Sequence, residues 1–147
     1  MPFITVNNSR TSNYLNQVYR NNDCIFFYYW NNCGHCHQFR PIFDEVIRDL
    51  MNTREEFMKK AYIFQIELSN FELLPDEFKE VQAFPSVITY SNGRKTNEFK
   101  DQRTKTNLND FILSSLGEPS KTYVSSSSSS SKKKVIKKYT YPKTKTV

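Results

Sequence analysis

The sequence predicts an α/β fold, a central mixed sheet with helices on both faces, in the order β-α-β-α-β-α-β-β-α. Three observations carry this. Cys24–Trp30 is an unbroken apolar, aromatic and β-branched run, the pattern of a strand buried on both faces of a sheet. Downstream, Phe39, Phe43, Val46, Ile47 and Leu50 recur at i, i+4, i+7, i+8 and i+11, one apolar stripe of a helix. Two further runs, Ser86–Tyr90 and Lys95–Phe99, flank the turn pair Asn92-Gly93, which puts an antiparallel hairpin after the parallel part.

The other elements follow in order. Phe3–Val6 predicts a short first strand. Asn13–Arg20 predicts a helix, with Tyr14, Leu15, Val18 and Tyr19 at helical spacing and Ser12 as its cap. The helix after Cys24–Trp30 runs about four turns, and Pro41 should kink it. Tyr62–Leu68 predicts the next strand, with its apolar residues at the centre. Pro75 opens a short helix as its first residue and turns Phe78 and Val81 inward. After the hairpin, Leu108, Phe111, Ile112 and Leu116 form a last helical stripe that Gly117 stops.

The 147 residues suffice for one domain of ordinary size, and 12 Phe with 9 Tyr supply ample apolar surface for its core. The expected division is a domain over 1–117 and a tail over 118–147. The net charge of +6 hides an asymmetry. Positions 1–120 hold thirteen basic and all fifteen acidic residues, a balance of −2, whereas the eight Lys from Lys121 onward have no acid among them. Ser125–Ser131 is an unbroken serine run followed by Lys132-Lys133-Lys134, a composition that cannot bury enough apolar surface to offset its ordering entropy. The tail is therefore expected to be disordered. Two roles stay open for it: contact with a polyanion or nucleic acid by counterion release, or a solubilising appendage.

The chemistry concentrates in Cys33-Gly34-His35-Cys36, directly after the buried strand and directly before the amphipathic helix. Cys33 falls at the helix N-terminus, where free N–H groups and the positive dipole end stabilise a thiolate, the nucleophilic form. Cys36, one turn further, is close enough to resolve a mixed disulfide and should be more buried. His35 between them can favour the thiolate, or can be a solvated bystander. Half a zinc site is the competing reading of the pair, but only Cys24, on a core strand, and His37 remain as further ligands. Cys24 reads as a small buried apolar residue and His37 as a plain surface residue of the helix. No cofactor is expected.

The tetrapeptide Cys33-Gly34-His35-Cys36 resembles that of the protein disulfide isomerase branch of the thioredoxin superfamily. Pro41 stands where that family places its helix-kinking proline. Val81-Gln82-Ala83-Phe84-Pro85-Ser86 looks like the segment carrying the family's cis-proline, which faces the dithiol. Arg103-Thr104, with Leu108 and Phe111-Ile112, is similar to the isomerase pattern in which an arginine approaches the buried cysteine. The resemblance covers roughly residues 3–117 and implies a thioredoxin fold and thiol–disulfide exchange on protein substrates, with Cys33, Cys36, His35, Pro85 and Arg103 as site residues. Departures accompany it. Asn31-Asn32 precede the first cysteine where the family has Trp, with Trp30 displaced upstream. Phe27 stands where the family has a buried carboxylate, and that carboxylate's usual lysine partner is also missing, since Gln65 lies near its position.

Two function classes follow. The first is a thiol–disulfide oxidoreductase acting on protein thiols and disulfides; the alternative is a binding or packaging module that uses the Pro85 groove and the basic tail. A monomer is expected, and no membrane contact, since the longest apolar run, Ile25–Trp30, is far too short to span a bilayer. Met1–Asn8 shows neither the basic start nor the apolar stretch of a secretory signal, which points to the cytoplasm. The His-containing dithiol resembles isomerases at about −180 mV more than thioredoxin at about −270 mV, an oxidising poise for a reducing compartment. A large DNA virus with its own cytosolic disulfide chemistry, and a place for this chain in the virion, reconciles the two and suits a composition rich in Asn, Lys, Ile, Phe and Tyr.

Overall fold

The structure, a computed structural model, describes residues 3–116. Gly117 and the Ser/Lys-rich tail over 118–147 lie outside the described residues. Five strands form one sheet: β1 (Phe3–Thr5), β2 (Asp23–Tyr29), β3 (Ala61–Glu67), β4 (Ser86–Ser91) and β5 (Arg94–Glu98). Their order is β1-β3-β2-β4-β5, with β1, β3 and β2 parallel and β4 and β5 antiparallel to their neighbours. β2 is central and buried along nearly its whole length, as its apolar run requires. The Asn92-Gly93 turn has positive φ at both residues (51° and 83°), the backbone a two-residue hairpin needs and the reason Asn-Gly stands there.

Alternation along β2 builds two cores. Ile25, Phe27 and Tyr29 face α2 (Gly34–Thr53) and α4 (Lys105–Ser115), which contribute Phe39, Phe43, Val46, Ile47 and Leu50, and Leu108, Phe111 and Ile112. Cys24, Phe26 and Tyr28 face the other way, toward Leu15 and Val18 of α1 (Ser9–Val18). Aromatic rings do much of the filling: Phe27 stacks on Phe43 at 4.4 Å between centroids, and Phe26 on Tyr90 at 4.8 Å.

Several elements differ from the sequence-based expectation. α1 begins earlier than Asn13, because Asn8 caps it: the Asn8 side chain accepts from the Thr11 N–H at 2.8 Å and Thr11 Oγ1 accepts from the Asn8 N–H at 3.2 Å. Ser12 is therefore not the cap; it is buried and donates to the Leu73 carbonyl. The segment between β3 and β4 forms two 3₁₀ turns, Leu68–Leu73 and Asp76–Phe78, with Phe78 buried and Val81 only half-buried. A short α3 (Glu55–Met58) follows α2 and buries Met58. Pro41 lies inside α2, where it removes one backbone donor without ending the helix.

Candidate active site

β2 delivers the chain to the site. It ends at Tyr29, the exposed residues Trp30, Asn31 and Asn32 turn the backbone, and Cys33 opens α2 as its N-cap in extended conformation (φ −106°, ψ 119°). A thiol here takes the place of the usual capping hydroxyl or carboxylate. Cys33 Sγ accepts from the Cys36 N–H at 3.1 Å, so the sulfur lies among the free donors of the helix end. Cys33 is half-buried and Cys36 buried, and both are free thiols. Burial, reinforced by its hydrogen bond with Cys33, pushes the Cys36 thiol up to about 11; the Trp30 backbone N–H and the positive charge of Arg103 pull the other way.

The other residues singled out from the sequence take different positions. The Phe84–Pro85 peptide bond is cis, Pro85 is buried, and the Cys33 thiol donates to the Phe84 carbonyl at 3.7 Å. Cys33, Cys36 and the Phe84-Pro85 segment thus come together. Arg103 stands exposed just before Thr104, the N-cap of α4, and reaches Cys36 through its charge. His35 is exposed in the first turn of α2 and makes no side-chain hydrogen bond among the described residues. Cys24 belongs to the opposite face of the sheet, where burial, with Asp23 adding, pushes its thiol up to about 12.

Among the described residues Glu67 is the only buried acid, and the cluster that holds Cys36 is apolar. Phe27 is fully buried in the same cluster as Cys36. Gln65, beside it on β3, accepts from the Arg40 guanidinium at 2.7 Å, and Arg40 lies over the Tyr29 ring at 4.1 Å. Among the described residues no group of three or more His, Cys, Asp and Glu side chains could hold a metal ion, and no helix is long and apolar enough to cross a membrane.

Glu67, which sequence reasoning passed over, and His37, which it read as a plain surface residue, both touch the loop before Cys33. Glu67, buried at the end of β3, accepts from the Asn31 N–H at 2.9 Å and from the N–H and hydroxyl of Ser69. His37, exposed as expected of a surface residue, places Nε2 at 2.6 Å from the Asn31 carbonyl oxygen. An acid closing the apolar strand in Ile66-Glu67-Leu68 was the available signal.

The thioredoxin family model matches residues 5–114. A protein disulfide-isomerase of Datisca glomerata is 28% identical over 110 residues, covering 74% of this chain and 21% of that protein. A thioredoxin of Rickettsia prowazekii (strain Madrid E) is 23% identical over 112 residues, covering 76% of this chain and 99% of that one. Among solved structures, the human ERp44 zinc-bound form superimposes with a TM-score of 0.61 at 18% identity, covering 80% of this chain and 32% of that one, a likeness of fold. The chain thus spans about a fifth of the isomerase's length and about a third of the ERp44 chain.

Proposed function

This chain belongs to the thioredoxin family, and we propose that it is a thiol–disulfide oxidoreductase that exchanges disulfides with protein substrates through Cys33 and Cys36. The observation that carries the reading is the thiol cap: a half-buried sulfur receiving the Cys36 N–H at 3.1 Å, with a second, buried thiol one turn behind it. The Cys33 thiolate attacks one sulfur of a substrate disulfide, a mixed disulfide forms, and the other substrate sulfur leaves as a thiolate. Cys36 then gives up its proton and attacks Cys33 Sγ. The Cys33–Cys36 disulfide forms, the substrate sulfur leaves, and the substrate has gained the two electrons the dithiol lost. The same steps reversed oxidise a substrate dithiol.

Cys36, held protonated up to about pH 11, does not compete as first nucleophile near neutrality. The Trp30 N–H and the Arg103 charge oppose that hold, and both favour the thiolate needed for the second step. With Phe27 in place of an acid, the proton of Cys36 passes to solvent or to the departing substrate thiolate. Reduction of insulin disulfides by wild type and by Cys33→Ser tests the reading. Turnover by wild type that falls to background in Cys33→Ser supports it; equal rates contradict it.

The apolar Phe27 and the eight tail lysines favour a second reading, a binding or packaging module with little turnover. That reading expects wild type to reduce insulin no faster than Cys33→Ser, while a polyanion column retains the protein with a steep salt dependence.

A further inference from the structure

We propose that Glu67 and His37 are positioning residues for the dithiol, acting together on the two peptide groups that flank Asn31. The inference rests on Cys33 being the attacking thiol. Asn31 and Asn32 are exposed, and their side chains make no hydrogen bond among the described residues, so the loop leading into Cys33 depends on its backbone for its shape. The Trp30–Asn31 peptide is held at both ends: its carbonyl accepts from the Cys33 N–H at 3.1 Å, and its N–H donates to Glu67 Oε2 at 2.9 Å. The next peptide is held by its carbonyl, with His37 Nε2 at 2.6 Å. A carbonyl only accepts, so Nε2 carries the proton in this contact.

Register explains why Glu67 can do this. β2 and β3 run parallel with Glu67 opposite Tyr29, so the end of β3 lies beside the point where the chain leaves the sheet for the site. His37 approaches from the other side, one residue past Cys36 on α2. The loop is thereby pinned between the sheet and the helix that carries both thiols. It also carries the Trp30 N–H that bears on Cys36.

Glu67 acts as a fixed acceptor and not as the missing base under the dithiol. Burial opposes its charge, but the donors of Ser69 and Asn31 outweigh burial and hold its carboxyl below the usual range, deprotonated at neutral pH. Its two oxygens are taken up by three donors, and the groups acting on Cys36 are Cys33, Trp30 and Arg103. A carboxylate so occupied orients a loop; it does not ferry protons.

The test uses the full chain and three variants: Glu67→Gln, His37→Ala, and Asn8→Ala as a destabilised control at the far cap of α1. Three readouts apply: the pH profile of Cys33 alkylation by iodoacetamide, the dithiol–disulfide equilibrium against glutathione, and the melting temperature. Glu67→Gln and His37→Ala should each slow Cys33 alkylation at pH 7 and move its pH midpoint. Each should also shift the equilibrium constant about tenfold, about 30 mV for two electrons. Asn8→Ala should lower the melting temperature and leave profile and equilibrium alone. Profiles and equilibria within twofold of wild type in both site variants overturn the proposal. If Glu67→Gln does not fold, His37→Ala, on an exposed helix surface, decides by the same criterion. Alkylation needs no turnover. A wild type that fails to reduce insulin while both variants still shift the profile sinks the functional reading and leaves the positioning role standing.

Discussion

On one face of the sheet Cys24 is buried in a cluster with Phe26, Tyr28, Phe64, Phe78 and Tyr90; on the other, Cys36 is buried in a cluster with Phe27, Phe39, Phe43 and Val87. Their exposures, 0% and 4%, barely differ, and burial pushes both thiols up, to about 12 and about 11. What differs is the backbone. Cys24 sits inside β2, flanked by β3 and β4, and among the described residues its thiol has only the Asn22 carbonyl, at 3.8 Å, to donate to. Cys36 sits in the first turn of α2, where its own N–H is spare and turns to a second sulfur. Burial silences a thiol in either place. A helix terminus and a neighbouring cysteine are what set the Cys36 face apart.

The sharpest way to probe this contrast is a matched pair of cavities. Phe26→Ala and Phe43→Ala remove fully buried rings from opposite faces, and each should cost ~3–5 kcal/mol of stability by urea titration. Only Phe43→Ala, in the Cys36 cluster, should also alter the rate of Cys33 alkylation. Equal disturbance of the dithiol by both would erase the distinction between the faces.

Alkaline pH should cost the α1 face most. Cys24, Tyr28 and Tyr90 all belong to it, and burial raises all three. For Cys24 the folded value of about 12 exceeds the ordinary 9.0, so the unfolded chain releases its proton first. Its contribution is whole below pH 9 and is lost as pH rises toward 12, about 4 kcal/mol at 1.36 kcal/mol per pKa unit. Melting curves from pH 8 to 11 should show stability falling, and Cys24→Ala should flatten part of that fall. Insulin reduction by Cys24→Ala at pH 7 should match wild type. A loss of activity would tie Cys24 to the site after all.

The smallest effect is expected from deleting residues 121–147, which moves the net charge from +6 to −2. Melting temperature and insulin reduction should be unchanged, while retention on heparin, if the full chain shows it, should disappear. Equal retention of both forms would locate the binding surface on the folded domain.

The contrast between the faces also shows what the sequence could reveal. Strand β2 was legible because burial on both sides leaves a continuous apolar run, β3 and β4 because apolar and β-branched residues gather at their centres, and Asn92-Gly93 announced its hairpin through the φ it requires. Cys33 and Cys36 were legible because a CxxC between a strand and a helix has local meaning. The start of α1 was hidden, since its capping box, Asn8 with Thr11, precedes the apolar periodicity and carries no hydrophobic mark. The short helix expected to open at Pro75 is a 3₁₀ turn, Asp76–Phe78, with Pro75 as its N-cap, and the turn before it, Leu68–Leu73, starts where Glu67 accepts from the Ser69 N–H. Glu67 stands out locally as an acid that closes an apolar strand, but its partner is not legible, because Asn31 is 36 positions away and is reached only through the β2–β3 register.

Whether helix-end geometry makes Cys33 the working thiol is tested most directly by brief iodoacetamide treatment of the native reduced protein at pH 7. Mass spectrometry then assigns the label among the three cysteines. Cys33 should carry nearly all of it, Cys36 should follow only as pH climbs toward 11, and Cys24 should stay unlabelled until the protein unfolds. Labelling of Cys36 or Cys24 ahead of Cys33 at neutral pH would contradict the account.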